Sequence, residues 1–293
     1  MPATILNVGS LNVDYVYAMP HFVRAGETLA STELERHAGG KGLNQSIALA
    51  RAGAAVRHLG AIGPDGLFLR DLLAEAGADI SAVHELESPS GHAIIQIEPS
   101  GQNAILLYGG ANQALSSAWL DAELARLSTG SFVLTQNETN LTAQALREAR
   151  ERGAVVVWNP APITPDCESV DLRWLDYLVV NEGEAEALSD TAGGPGQALA
   201  ALCQRAPHLQ VVVTLGGQGV VTAGPQGRYR FPAAPVARVV DTTAAGDTFI
   251  GYLVASLARQ DPLPTALQLA TRAAAWSVQR KGAAPSIPHL AEL

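Results

Sequence analysis

An alternation of two kinds of segment constrains this chain most. Short, strand-like and mostly apolar runs are Ile5–Val8, Phe132–Leu134, Val155–Trp158, Tyr177–Val180 and Val211–Thr214. Between them lie segments with helical periodicity: Asn44–Arg51, Leu67–Ala76, Leu141–Arg152 and Gln197–Gln204. A strand that is apolar at every position has no wet face, so both its faces must be covered. Strands of this kind joined by helices predict an α/β fold, a mostly parallel central sheet with helices on both faces. The 293 residues suit one large domain or two smaller ones, and a single domain over 1–293 is expected.

Two regions break the rhythm. Residues 12–38 carry little helical signal. Residues 92–108 read as two strands, His92–Glu98 and Asn103–Tyr108, joined by Pro99-Ser100-Gly101-Gln102. The first partly alternates apolar and polar residues, as in a sheet with one exposed face. Together they predict a small β-sheet protruding from the main body, able to cover a site as a lid or to pair with a second copy of the chain.

Composition excludes several classes. Apolar residues make up 47% of the chain and charged residues 16%, which favours a packed core over disorder. The net charge of -9 argues against nucleic acid as a partner. Any phosphate site must then be local and built from backbone N–H groups. Cys167 and Cys203 are too far apart in sequence for a metal or redox pair and read as idle thiols in a reducing compartment. No apolar run approaches the roughly 18 residues of a membrane span. No leader is apparent before Asp14, so cytoplasmic residence is expected.

The most informative string is Asp241-Thr242-Thr243-Ala244-Ala245-Gly246-Asp247-Thr248-Phe249. It follows a strand-like stretch, Val236–Val240, and precedes a helix from about Asp247 to Ala258. The small residues Ala244, Ala245 and Gly246 let a ligand approach the backbone. The helix N-terminus offers free N–H groups and a favourable dipole to an anion. Asp247, in the same turn, is placed to take a proton from a hydroxyl that attacks a phosphoryl group. A lone Asp at a helix start is usually a cap, but the nine-residue string is far more specific.

Three further strings fit that chemistry. Gly39-Gly40-Lys41-Gly42-Leu43-Asn44-Gln45 precedes a helix ending near Gly53 but lacks the Walker spacing. Its glycines are expected to let backbone approach a small polar ligand that Asn44 hydrogen-bonds. Asn12 and Asp14, two apart after the first strand, face one way if the chain is extended, and an amide with a carboxylate suits a polyhydroxylated ligand. Asn181-Glu182-Gly183-Glu184 ends a strand and opens a helix; it reads either as a capped helix start or as an organiser of Mg²⁺ near phosphates. Thr214–Gly219, a glycine turn at a strand end, either wraps a nucleotide or is a tight hairpin.

In this order the strings resemble the ribokinase (PfkB) family of carbohydrate kinases, from about Ile5 to Pro288. Gly110-Ala111-Asn112 and Arg280-Lys281-Gly282-Ala283 with Pro285-Ser286 add to the likeness. The resemblance implies ATP-dependent phosphorylation of a sugar primary hydroxyl, D-ribose to D-ribose 5-phosphate in the first instance. It implies sugar contacts at Asn12, Asp14, Gly40, Lys41, Asn44 and Glu138. It places Asn181, Thr214, Gly216, Gly219, Gly246 and Thr271 on the nucleotide side, with Glu184 organising Mg²⁺. Asp247 matches the base, with Ala245 and Gly246 in its anion hole. Asp241, Thr243, Ser277, Arg280, Gly282 and Ser286 match a monovalent-cation site for K⁺, several through backbone carbonyls. A homodimer through the lid sheet is expected.

This chain departs from the family pattern at Thr271, where a histidine is frequent, at Phe68, where a glycine is frequent, and at Asn137, which replaces an apolar residue. Alternatives are a related kinase for another sugar or a nucleoside, and a non-catalytic sensor. Aromatics are only 5% of the chain and none lies in the sugar motifs, which disfavours a nucleoside. Intact Gly246 and Asp247 disfavour a sensor. No G-x-G-x-x-G follows the first strand and no G-x-S-x-G is present, which disfavours a dehydrogenase and a hydrolase.

Overall fold

A computed structural model describes residues 3–293. Its strands are β1 (Ile5–Val8), β2 (Asn12–Ala18), β3 (Glu33–Gly39), β4 (Val56–Ile62), β5 (Asp79–Glu85), β6 (Gly91–Ile97), β7 (Asn103–Tyr108), β8 (Phe132–Thr135), β9 (Val155–Trp158), β10 (Tyr177–Asn181), β11 (Gln210–Thr214), β12 (Val220–Ala223) and β13 (Tyr229–Phe231). Its helices are α1 (Lys41–Arg51), α2 (Leu67–Ala76), α3 (Ser117–Leu124), α4 (Thr142–Glu151), α5 (Glu182–Ser189), α6 (Pro195–Arg205), α7 (Ala245–Ala258) and α8 (Leu263–Ser277).

Nine strands form one sheet in the order β13-β12-β11-β10-β9-β8-β1-β4-β5. All neighbours are parallel except at one edge, where β12 pairs antiparallel with both β11 and β13. The fully apolar runs explain this arrangement. Along β10 and β11, Tyr177, Val179 and Val212 point into one core with α1, α2, α7 and α8. Leu178, Val180, Val211 and Val213 point into the other, with α3, α4, α5 and α6. Each such side chain, fully buried, contributes about 1.5–3 kcal/mol of transfer free energy.

A second, separate sheet of four strands, in the order β3-β2-β6-β7, carries residues 12–18, 33–39, 91–97 and 103–108. It contains both regions that break the sequence rhythm. Its β2 pairs with β6 in parallel and with β3 antiparallel. Gly9, Ser10 and Leu11 are all that separates β1 of the large sheet from β2 of the small one.

One expected strand is absent. Val236–Val240 forms no strand, and Val236, Val239 and Val240 are exposed. Pro232 and Pro235 precede it and offer no N–H to a ladder. Val240 N instead donates to Val278 O at 2.8 Å, tying the segment to the end of α8.

Candidate active site

Helix α7 starts beside the C-terminal ends of β10 and β11 and opens on an unusual residue. Ala244, its N-cap, is left-handed with φ 59°, a conformation that costs a non-glycine residue about 1–3 kcal/mol. Past it, the N–H groups of Gly246 and Asp247 have no protein acceptor among the described residues, whereas Ala245 N donates to Thr242 O at 3.2 Å. Of the two expected anion-hole residues, Gly246 therefore offers a free donor and Ala245 does not, while the N–H of Asp247 adds a second free donor. A Cβ on Gly246 would meet only open space. That space belongs to a cavity of about 180 Å³ whose lining includes Lys41, Asn181, Glu184, Thr214, Gly246 and Asp247.

The Asp247 carboxylate is held from both sides by α1. Its Oδ2 accepts from Asn44 Nδ2 at 3.0 Å and its Oδ1 from Gln45 Nε2 at 2.9 Å. The Asn44 donor is thus engaged with Asp247, a contact the sequence does not suggest. Asn44 Oδ1 is buried without a partner, an acceptor that a ligand hydroxyl would satisfy.

The glycines before α1 also serve the protein first. A Cβ on Gly39 would lie 2.1 Å from Asp14 Oδ2, and one on Gly40, at φ 96°, would lie 2.9 Å from Ser10 O. Their absence of side chain lets this segment close against Ser10 and Asp14, a contact the sequence does not suggest.

Around this contact the small sheet delivers polar groups. Asn12 and Asp14 project from one face of β2. Asn12 Oδ1 accepts from Asn112 Nδ2 at 2.7 Å. Glu138 Oε2 accepts from Lys41 N at 3.0 Å and from the Ser10 hydroxyl. Burial, reinforced by the nearby Glu138 charge and only partly offset by His37 and Lys41, pushes the Asp14 carboxyl up to about 6. Burial opposes the charge on Lys41, but Asp247, Glu138, Glu184 and Asp14 together hold its ammonium above the ordinary lysine value. This one cation therefore links Asp14 of the small sheet and Glu138, just past β8, to the carboxylates beside the cavity.

On the far side, Asn181 ends β10 and caps α5. Its Oδ1 accepts from Glu184 N and Glu184 Oε2 from Asn181 N, both at 2.9 Å. The cap is thus formed; it uses Oε2 alone, and Glu184 also lines the cavity. Burial raises the Glu184 carboxyl, with Asn181 and Lys41 opposing. Thr214–Gly219 is a hairpin turn between β11 and β12, with Gly216 at φ 51° and Gly219 at φ 98°. Of these residues Thr214 reaches the cavity lining. Thr271 does not; it is buried in α8 with its hydroxyl donated to Leu267 O at 2.8 Å.

The cation candidates cluster beside α7. Asp241 Oδ1 accepts from Thr243 N at 2.9 Å and from its hydroxyl at 2.6 Å, and Oδ2 from Gly282 N at 2.8 Å. The two loops expected to meet therefore do meet. Burial works against the Asp241 charge, yet these bonds hold its carboxyl below the usual range. Ser277 and Ser286 are buried and donate to Ala274 O and Ala283 O, which leaves their oxygens as acceptors. The Arg280 guanidinium turns away onto Glu292 and the Trp276 ring, so only its carbonyl is on offer to a cation.

Two of the departures have structural partners. Asn137 Nδ2 donates to Pro162 O and Thr164 Oγ1, bracing the loop after β9. Phe68 lies 4.2 Å under the Arg36 guanidinium, joining α2 to β3 of the small sheet. Sequence reasoning missed Ser10, Gln45 as a partner of Asp247, and Asn159. The last follows β9 and lines the cavity, so its place at the carboxyl end of a central strand was the available signal.

With this geometry in hand, the sequence pattern of the pfkB family carbohydrate kinases matches residues 3–290. The chain belongs to the pfkB carbohydrate kinase family. It is a phosphotransferase acting on a sugar, with the ribokinase-like α/β fold. It is 37% identical to a ribokinase of Schizosaccharomyces pombe, over 99% of this chain and 96% of that one. The solved ribokinase of Cryptococcus neoformans var. grubii in complex with ADP superposes with TM-score 0.87 at 34% identity, covering 99% of this chain and 98% of the other. That of Arabidopsis thaliana, complexed with ribose and ATP, superposes with TM-score 0.89 at 28% identity, covering 99% and 97%.

Proposed function

We propose that this chain transfers the γ-phosphoryl group of ATP to the primary hydroxyl of D-ribose, forming D-ribose 5-phosphate. The observation that carries the reading is the coincidence, in one cavity, of the Asp247 carboxylate and the free N–H groups of Gly246 and Asp247. Relatives that bind ribose, ATP and ADP, matched nearly end to end, support the choice of substrates.

In this reading Asn12, Asp14, Gly40, Lys41, Asn44 and Glu138 hold the sugar hydroxyls between the small sheet and α1. Asp247 takes the proton from the attacking hydroxyl. The transferring phosphoryl lies against the start of α7, where the free N–H groups and the helix dipole receive its developing charge without reorganising. Lys41 adds a positive charge between the reacting groups. Asn181, Glu184, Thr214, Gly216 and Gly219 flank the nucleotide, and Thr271 acts by packing in α8. The small sheet closes over the sugar as a lid on a single kinase unit.

Among the described residues no cluster of three or more His, Cys, Asp or Glu is placed to hold a metal. One carboxylate, Glu184, beside an amide fits Mg²⁺, which keeps most of its shell as water and phosphate oxygens. Asn181 and Glu184 would orient that water shell. When bound, Mg²⁺ neutralises phosphate charge. K⁺ would be held by carbonyl and hydroxyl oxygens of the Asp241–Thr243 and Arg280–Ser286 loops, with Ser277, and would stiffen the turn that sets the α7 N–H groups.

A homodimer through the small sheet fits its outer strand, where Ile105, Leu106, Leu107 and Tyr108 are all exposed. Cytoplasmic residence agrees with a chain in which no helix is long and apolar enough to cross a membrane among the described residues.

ADP release with Mg·ATP across pentoses, hexoses and nucleosides tests the substrate assignment. Ribose is expected to lead; no turnover of ribose with turnover of a hexose or nucleoside would replace it.

A further inference from the structure

Behind Asp247 runs a chain of buried polar side chains that the reaction itself does not use. Gln45 donates from Nε2 to Asp247 Oδ1 at 2.9 Å and to Asn159 Oδ1 at 3.1 Å. Its Oε1 accepts from Gln136 Nε2 at 2.7 Å, and the same nitrogen donates to Asn7 Oδ1 at 2.9 Å. Asn7 Nδ2 donates to Ser46 Oγ at 2.7 Å and to Gly42 O at 2.9 Å. Ser46 Oγ lies 2.8 Å from His58 Nδ1, and His58 Nε2 lies 3.2 Å from Gly9 O. Asn7, Gln45, Ser46 and His58 are fully buried, and Gln136 nearly so.

The direction of every bond in this chain is set by backbone carbonyls, which can only accept. Gly9 O requires the proton on His58 Nε2, and burial keeps that imidazole neutral, with its titration pushed down to about 4. Nδ1 is then an acceptor, so Ser46 donates to it. Gly42 O fixes the Asn7 amide, which fixes Gln136, which fixes Gln45. Val179 O, accepting from Asn159 Nδ2 at 3.0 Å, sets the other end. A flipped Gln45 amide would face Asp247 Oδ1 and Asn159 Oδ1 with a third acceptor. One orientation survives, and in it Gln45 presents N–H to Asp247.

We propose that Gln45 is a positioning residue for Asp247. The Gln136–Asn7–Ser46–His58 chain behind it fixes its polarity, so that the carboxylate is held with Oδ1 tied back and its plane set for the substrate hydroxyl. This rests on Asp247 being the base. Asn44 restrains the other oxygen, but it is also a sugar contact in the reading above. Gln45 is buried at the rear of Asp247 and its role is separable from sugar binding. The network also gives partners to the Asn7 amide and to Gln136 Nε2, which sit where β1 and β8 are otherwise apolar and would be costly if unpaired; Gln136 Oε1 alone is left without one.

The test uses the full-length enzyme. Gln45→Leu removes the donor at similar size. A charge-assisted hydrogen bond is worth about tenfold or more, so kcat is expected to fall about tenfold or more while KM for the sugar stays within about twofold. In an Asp247→Asn background the same substitution is expected to change kcat by less than about twofold, because its target is already gone. A folded Gln45→Leu enzyme with wild-type kcat, or a loss of the same size in both backgrounds, overturns the proposal. Where Gln45→Leu does not fold, Gln45→Glu decides. It keeps the shape but sets a second carboxylate beside Asp247, and the pair must share a proton. The acid limb of the kcat/KM profile is expected to move alkaline by about one pH unit or more, and an unmoved limb overturns the proposal. Asp247→Asn alone retaining wild-type kcat would instead remove the base reading, whatever Gln45 does.

Discussion

Sugar affinity should depend steeply on pH below 6, and Asp14 is the reason. Its carboxyl titrates near 6, because burial and Glu138 outweigh the help of His37 and Lys41. A protonated Asp14 accepts fewer hydroxyl donors than the carboxylate. If only the ionised form binds sugar well, the apparent Kd scales as 1 + 10^(6 − pH). The factor is about 1 at pH 8, about 2 at pH 6 and about 11 at pH 5. Calorimetric titration of D-ribose at these three pH values, with a non-hydrolysable ATP analogue titrated alongside, measures it. The sugar should weaken about tenfold between pH 8 and pH 5, and Asp14→Asn should bind weakly with no such slope. Stability runs the other way. Between the unfolded value near 4 and the folded value near 6 the native state holds the extra proton. This contribution to stability is therefore present at low pH and is lost as pH rises through 6. A flat ribose affinity from pH 8 to pH 5, or a slope that survives in Asp14→Asn, would refute the reasoning.

Three further outcomes are expected. Asp247→Asn should lower kcat by about 10²–10⁴-fold, measured by coupled ADP release, with ribose affinity largely kept. Its amide oxygen can take the Gln45 donor and its nitrogen can face a turned Asn44 amide, whose Oδ1 has no other partner, so the loss of kcat should come without a large fall in Tm. Exchange of Na⁺ for K⁺ at constant ionic strength should raise the rate severalfold, and Asp241→Ala, which loses three hydrogen bonds, should abolish the response. Leu106→Asp, on the exposed outer strand β7, should shift the sedimentation coefficient from dimer to monomer.

Much of this architecture is legible in the sequence for a physical reason. Runs such as Val155–Trp158 and helices such as Leu67–Ala76 carry their environment in their own periodicity, and their observed bounds match the reading. Val236–Val240 is apolar apart from Arg238 yet joins no strand: the prolines before it offer no donors, and Val240 N is tied to Val278 O instead. Residues 12–38 and 92–108 betray a second sheet by what they lack, whereas the pairing of β2 with both β3 and β6 is tertiary. The Asp241–Asp247 string announces its chemistry because the anion hole is local. The partners of Asp247 are not local: Asn44 and Gln45 are about two hundred residues away, and Asn7, Gln136 and His58 meet only through the packing of α1 on β1, β4 and β8. Gly39 and Gly40 were legible as a close approach but not as an approach to Ser10 and Asp14, because which backbone comes near is set by the fold.

The central claim is phosphoryl transfer from ATP to the primary hydroxyl of ribose at the Asp247 turn. Incubation of the enzyme with D-ribose carrying ¹³C at C5 and with Mg·ATP, followed by ¹³C and ³¹P NMR, reads the position of the new bond. The account predicts a phosphomonoester coupled to C5, formed in step with ADP. A phosphate on C1 of ribose, or ATP hydrolysed to ADP and inorganic phosphate with the sugar unchanged, would contradict it.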